Sequence, residues 1–217
     1  MINKKYLLEK LLSYCQDIQG VDEQVLDAHL HKHGLTLRDD HRSFLLKYGN
    51  SKQLLTSDYG DCSYAMFERY TSDPQEYLSG FEELPDGTVF FGQDSSEAML
   101  CIENESGEIY IFGSKELLAS FCENIDALLF SWLIRYILKN SLISRTQLQI
   151  VKKDDKERFF QQHAAYHIGL DNFFNKYFLK NNQLMYCTKT QSGRCAVDYI
   201  QGEVLDSIAQ EGLVFKS

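Results

Sequence analysis

The segment Phe90-Phe91-Gly92-Gln93-Asp94-Ser95-Ser96-Glu97-Ala98-Met99-Leu100-Cys101-Ile102-Glu103-Asn104-Glu105-Ser106-Gly107-Glu108-Ile109-Tyr110-Ile111-Phe112 decides the fold class. Its aromatic and β-branched runs, 89–91, 98–102 and 109–112, are separated by Gly92 and by the turn signal Asn104-Glu105-Ser106-Gly107. Short runs of this kind bounded by turn residues predict strands, and the last two predict a hairpin. The run 64–70, followed by Asp86-Gly87, extends the expected meander upstream.

Outward from this centre the period changes to that of helices. Leu7, Leu8, Leu11, Leu12 and Cys15 share one helical face, and Asp22 precedes a second pattern through Val25, Leu26 and Leu30 that Gly34 ends. A third helix carries Leu37, His41, Phe44, Leu45 and Tyr48, with Thr36 and Asp39 in capping spacing and Gly49 as a left-handed stop. On the other side, Ser114 is expected to cap a long helix through Leu117, Leu118, Phe121, Ile125, Leu128, Leu129, Trp132, Tyr136 and Ile137. From Leu128 this helix is apolar nearly all round, which predicts cover on two sides, by the sheet and by the C-terminal segment. The remainder reads as a helix through Phe159, Phe160, His163 and His167, a second through Phe173, Phe174, Tyr177 and Phe178, a hairpin of 184–188 with 194–200, and a short helix over 204–210. The expected class is α+β, with a domain over 1–140 and an α+β extension over 141–217.

The chain has 217 residues, 13% aromatics and only two prolines, Pro74 and Pro85, a composition able to build a core and unlike that of disordered segments. Its net charge of −9 is uneven. Residues 1–139 carry 12 basic and 23 acidic side chains, whereas 140–217 carry 10 and 8. Between residues 53 and 134 only Arg69 and Lys115 oppose 16 acidic residues. A surface of that sign is wrong for nucleic-acid phosphates and suits a basic partner. The N-terminus lacks an apolar core and a small-residue cleavage site, and the most apolar stretch, 128–138, contains Arg135 and falls short of the ~18 residues of a membrane span. The expectation is a cytoplasmic protein without membrane contact. Cys15, Cys62, Cys101, Cys122, Cys187 and Cys195 show no C-x-x-C spacing and read as reduced, mostly core thiols; Cys187 and Cys195 flank a turn signal and are placed to face one another across a hairpin.

No Walker loop, G-x-G-x-x-G, G-x-S-x-G or H-E-x-x-H occurs. His29 and His33 stand one helical turn apart before Gly34, the place where solvated histidines favour a helix C-terminus. His163 and His167 repeat the spacing on an apolar stripe; with Cys187 and Cys195 they define a metal-enzyme alternative, against which stands the simpler reading of hydrogen-bonded core histidines. Asp58-Tyr59-Gly60-Asp61 is a turn without the ligand spacing of a calcium loop. Neither a catalytic site, a metal nor a cofactor is expected.

Three stretches resemble the SUKH superfamily of bacterial toxin-immunity proteins and fungal cell-wall (glucan) synthesis regulators. They are the helix 35–50 ending Tyr48-Gly49-Asn50, the segment Phe90-Phe91-Gly92-Gln93-Asp94 with Gly107-Glu108-Ile109-Tyr110, and Leu118-Ala119-Ser120-Phe121, similar to the motif that opens the family's last helix. The usual Asn-Gly-Gly turn is here Gly49-Asn50-Ser51, Ser96-Glu97 stands where Gly-Asp is common, and the resemblance stops near residue 138. It implies an antiparallel or mixed sheet packed by the N-terminal helices and a long helix, and a binding protein, not an enzyme. The expected function is immunity: occlusion of a cognate toxin domain, a nuclease or deaminase with a basic cleft. The electrostatic contact set would be Asp58, Asp61, Glu82, Glu83, Asp94, Glu97, Glu103, Glu105 and Glu108, with Tyr59 and Tyr64 as aromatic anchors. The alternative is a regulatory or scaffold module that binds a host protein.

Overall fold

A computed structural model describes residues 3–57, 60–74, 84–113, 116–189 and 193–211. The elements in chain order are α1 (Lys4–Leu12), α2 (Glu23–His33), α3 (Asp39–Tyr48), the single turn α4 (Lys52–Leu55), β1 (Thr56–Ser57), β2 (Gly60–Asp61), α5 (Tyr64–Ser72), β3 (Thr88–Asp94), β4 (Met99–Glu103), β5 (Ile109–Gly113) and β6 (Glu116–Cys122). After them come α6 (Ile125–Lys139), β7 (Ser144–Val151), α7 (Lys156–His163), β8 (Asn175–Lys180), β9 (Gln183–Lys189), β10 (Cys195–Gln201) and α8 (Glu203–Gln210). The chain is α+β and divides into two compact units: residues 16–125, and residues 1–15 together with 126–217.

The 16–125 unit holds an antiparallel sheet in the order β1-β2-β3-β4-β5-β6. The expected meander is present in β3, β4 and β5, with Cys101 paired to both Phe90 and Tyr110. Phe91 packs with His41 and Phe44 of α3, whereas Phe90 stacks on Tyr70 of α5 at 3.9 Å, so β3 is covered from both sides. Asp22 caps α2 by accepting from the N–H groups of Gln24 and Val25, and Gly34, at φ +64°, ends it.

Three expectations for this unit need correction. Residues 64–70 form α5, not a strand: Ser63 Oγ caps the first turn, and Tyr64, Phe67 and Tyr70 recur every three residues on its buried side. Residues 116–122 form β6, not the start of the long helix, and the Ala119-Ser120-Phe121 motif lies in it. Two register shifts in the β5–β6 ladder break strict alternation, so the apolar spacing imitates a helical one. Gly49 is right-handed, φ −54°; a Cβ there would stand 2.7 Å from both the Leu45 carbonyl oxygen and Val21, so the position needs room, not φ freedom. Ser114 lies outside the described residues.

The second unit contains the antiparallel sheet β7-β10-β9-β8. The expected hairpin is β9–β10 and the short helix is α8. Two readings of its strands need correction. Residues 144–151 form an unforeseen strand, β7, whose first seven residues are all exposed and show no periodic burial. Tyr177 and Phe178 belong to β8, not to a helix, and Phe173 and Phe174 lie in the turn before it, each about two-fifths exposed. Asn172 is the reason for that turn: its Oδ1 accepts from the N–H groups of Phe174 and Asn175. Its Nδ2 donates to Ser131 of α6 at 2.9 Å, and Phe130 of α6 meets Tyr177 edge-on.

The opposite face of the sheet packs under α7, in a core of Val151, Phe159, Phe178, Met185, Cys187, Cys195 and Val197. Cys187 and Cys195, expected as thiols, are joined as a disulfide across the β9–β10 hairpin, Cα to Cα 6.1 Å. The N-terminal helix belongs to this unit: Lys10 and Tyr6 both donate to Glu211, and Lys4 Nζ donates to the Gly169 carbonyl.

Candidate partner-binding surface

The turns of the first sheet position most of the carboxylates singled out from the sequence. At the β3–β4 turn Asp94 Oδ1 accepts from Ser96 N, Ser96 Oγ and Ala98 N, all within 2.9 Å. Glu97 follows, exposed and held at φ +65°. Gly60 of β2 pairs with Asp94, and Asp61, whose Oδ1 accepts from Ser63 N, pairs with Gln93. Asp61, Asp94 and Glu97 thus gather at one end of the sheet.

The β4–β5 turn gathers the others. Glu103 accepts from Ser106 Oγ, and Glu108 accepts from Tyr110 Oη and Ser120 Oγ. The hydrogen bond to Glu108 pushes the Tyr110 phenol up to about 12. Glu105 stands exposed between them. This turn is clamped by Arg38, a residue the sequence did not single out. From the start of α3 its guanidinium donates to the carbonyls of Asn104 and Glu105, at 2.5 and 2.8 Å, while Asp40 pairs with it at 3.0 Å. Gly107 sits beneath it at φ +78°, where a Cβ would lie 2.8 Å from the guanidinium. The contact spans 66 residues of sequence, and no local pattern announces it.

Consecutive turns of a meander lie at opposite ends of the strand they share. At ~3.4 Å per residue the two carboxylate groups are separated by the length of β4, roughly 15–20 Å. The described acidic residues of the set therefore form two clusters, not one. Within them Asp61, Asp94, Glu103 and Glu108 are spent on internal hydrogen bonds that shape the turns, whereas the carboxylates of Glu97 and Glu105 accept none among the described residues. Asp58, Tyr59, Glu82 and Glu83 lie outside the described residues. Tyr64 is 6% exposed, its ring packed by Phe67 and His29, so it offers no face to a partner.

Three of the histidines are engaged elsewhere. His29 Nε2 bonds Thr71 Oγ1 at 2.7 Å, His163 Nδ1 bonds the Phe159 carbonyl at 2.8 Å, and His167 Nε2 bonds Asp171 at 2.8 Å. Among the described residues no three His, Cys, Asp or Glu side chains converge as a metal site would require. No helix among them is long and apolar enough to cross a membrane.

The model of the SMI1 / KNR4 family (SUKH-1) matches residues 20–131. The chain belongs to this family. SUKH-1 proteins are, in general, non-catalytic immunity or regulatory modules that act by binding partner proteins. The matched span contains the first sheet, both acidic turns and Arg38. Neither the curated proteins nor the solved structures give a match.

Proposed function

We propose that the chain is an immunity protein that neutralises a cognate toxin domain, a nuclease or deaminase with a basic cleft, by covering that cleft with the acidic turns of its SUKH sheet. The observation that carries the reading is that five carboxylates stand on two fixed turns, with Asp61 beside one of them, in a stretch of chain with 16 acidic and two basic residues. Fixed negative charge steers a basic protein toward it and gives association a strong dependence on ionic strength. Glu97 and Glu105 lead the contact because their carboxylates accept no hydrogen bond among the described residues. Asp61, Asp94, Glu103 and Glu108 hold the turns that present them, and Asp58, Tyr59, Glu82 and Glu83 remain in the proposed set from their place in the sequence. The protein acts in the cytoplasm, without a cofactor and without catalysis.

The test is genetic and direct. A toxin-like domain encoded beside this chain should arrest growth when expressed alone, and co-expression of the chain should restore growth; arrest despite co-expression contradicts the proposal. A regulatory module that binds a host protein is the second reading, favoured by the additional sheet that the chain carries beyond the family span. Under that reading no neighbouring toxin is needed, and the chain's expected partner is a resident protein of the same cell.

A further inference from the structure

The two edges of the second sheet are treated differently. The outer edge of β8 is covered: Ile168 N donates to the Tyr177 carbonyl at 3.0 Å, Tyr177 N donates to Asp171 Oδ1, and His167 forms a bridge with Phe178. The outer edge of β7 carries no such cover, since among the described residues its backbone is bonded to β10 alone. Residues 144–150 are all exposed, with Leu148 and Ile150 each just over half exposed on one face. Most edges are guarded by a charge or a proline within the strand. The regular stretch of β7, Gln147-Leu148-Gln149-Ile150-Val151, has neither, and the register shift that ends it lies at Thr146.

This stretch is complementary to itself. We propose that two copies of the chain pair their β7 strands antiparallel about a two-fold axis at Gln149, merging two four-stranded sheets into one of eight. In that register Leu148 of each copy lies opposite Ile150 of the other, Gln147 lies opposite Val151, and Gln149 faces its own mate. Both apolar pairs fall on the same face, and no charge lies within the paired segment. Just outside it stand Arg145, paired with Asp198 at 2.7 Å, and Lys152, which in this register lies opposite the uncharged Thr146. A partner strand of unrelated sequence would meet neither condition by design, whereas an antiparallel edge meets a second copy with its own symmetry.

Pairing over five residues is a small interface, so association belongs in the micromolar range. Sedimentation equilibrium of the full chain up to several hundred micromolar should show a monomer–dimer equilibrium. Leu148→Lys with Ile150→Lys, both at exposed positions, should raise the dissociation constant at least ~10-fold while far-ultraviolet circular dichroism stays unchanged. A Gln149→Cys variant should form an intermolecular disulfide on mild oxidation, because opposed Cα atoms in such a pair are ~4.5–5.5 Å apart. Ser144→Cys, ten residues out of register with its mate and roughly 30 Å from it, should not. A chain that stays monomeric at the highest concentration, a dimer indifferent to the paired lysines, or equal cross-linking at 144 and 149 would each overturn the proposal. The dimer is held by apolar and main-chain contacts, so salt should leave it intact, in contrast to toxin binding.

Discussion

His41 is a polar side chain in an apolar place. Its ring is fully buried, 4.7 Å from the centre of Phe91 and edge-on to Phe67, and neither ring nitrogen has a hydrogen-bond partner among the described residues. Burial pushes its pKa from 6.5 down to about 3. The folded chain therefore keeps this ring neutral where the unfolded chain would protonate it. The contribution is fully present above pH ~6.5 and is lost as pH falls from there toward 3, by about 1.4 kcal/mol per pH unit at most. His41→Phe should flatten that acid limb in urea midpoints measured from pH 7 to 4; an unchanged slope would exclude His41 as its cause. Glu97, a non-glycine residue at φ +65°, makes the opposite kind of prediction: Glu97→Gly should stabilise the fold by up to ~1 kcal/mol in the same assay. At this scale sequence reading is least informative. His41 was placed on the apolar side of its helix correctly, but its lack of a hydrogen-bond partner depends on Phe67 and Phe91, which no local pattern connects to it.

Elements were legible where one period ran unbroken and illegible where two periods coincided. β3, β4 and β5 alternate with clear turn residues, and α2 carries both its cap and its stop. By contrast, α5 is a short aromatic helix whose Tyr64, Phe67 and Tyr70 also satisfy a strand's composition, and β6 mimics a helix because register shifts displace its apolar residues. β7 is hard to read because only Leu148 and Ile150 alternate with polar residues, a run too short to announce a strand, and both remain exposed. The tie that fixes the β4–β5 turn is equally nonlocal. Arg38→Ala removes two hydrogen bonds to backbone carbonyls, and should cost about 1–3 kcal/mol and raise amide exchange at residues 104–108. Exchange unchanged at those amides would show that the turn holds itself. In the second unit Asn172→Ala should cost about 1–3 kcal/mol, because it frees the N–H of Phe174 and removes the bond to buried Ser131.

At the scale of the whole molecule, the net charge of −9 conceals a division of labour. The family span supplies a sheet whose turns carry acidic residues, and the other unit, with 15 basic and 10 acidic side chains, supplies a sheet whose β7 edge is uncovered among the described residues. The charge bias and the SUKH resemblance were both visible in the sequence; that the carboxylates sort into two clusters was not, because it follows from the order of the strands. The most direct test of the central claim is the association rate of the full chain with its toxin domain, measured by stopped flow between 50 and about 500 mM salt, for the wild type and for Glu97→Lys combined with Glu105→Lys. The proposal expects a rate that falls steeply with salt in the wild type and is at least ~10-fold lower, with a shallower slope, in the double variant. Equal rates and equal slopes for the two proteins would contradict it.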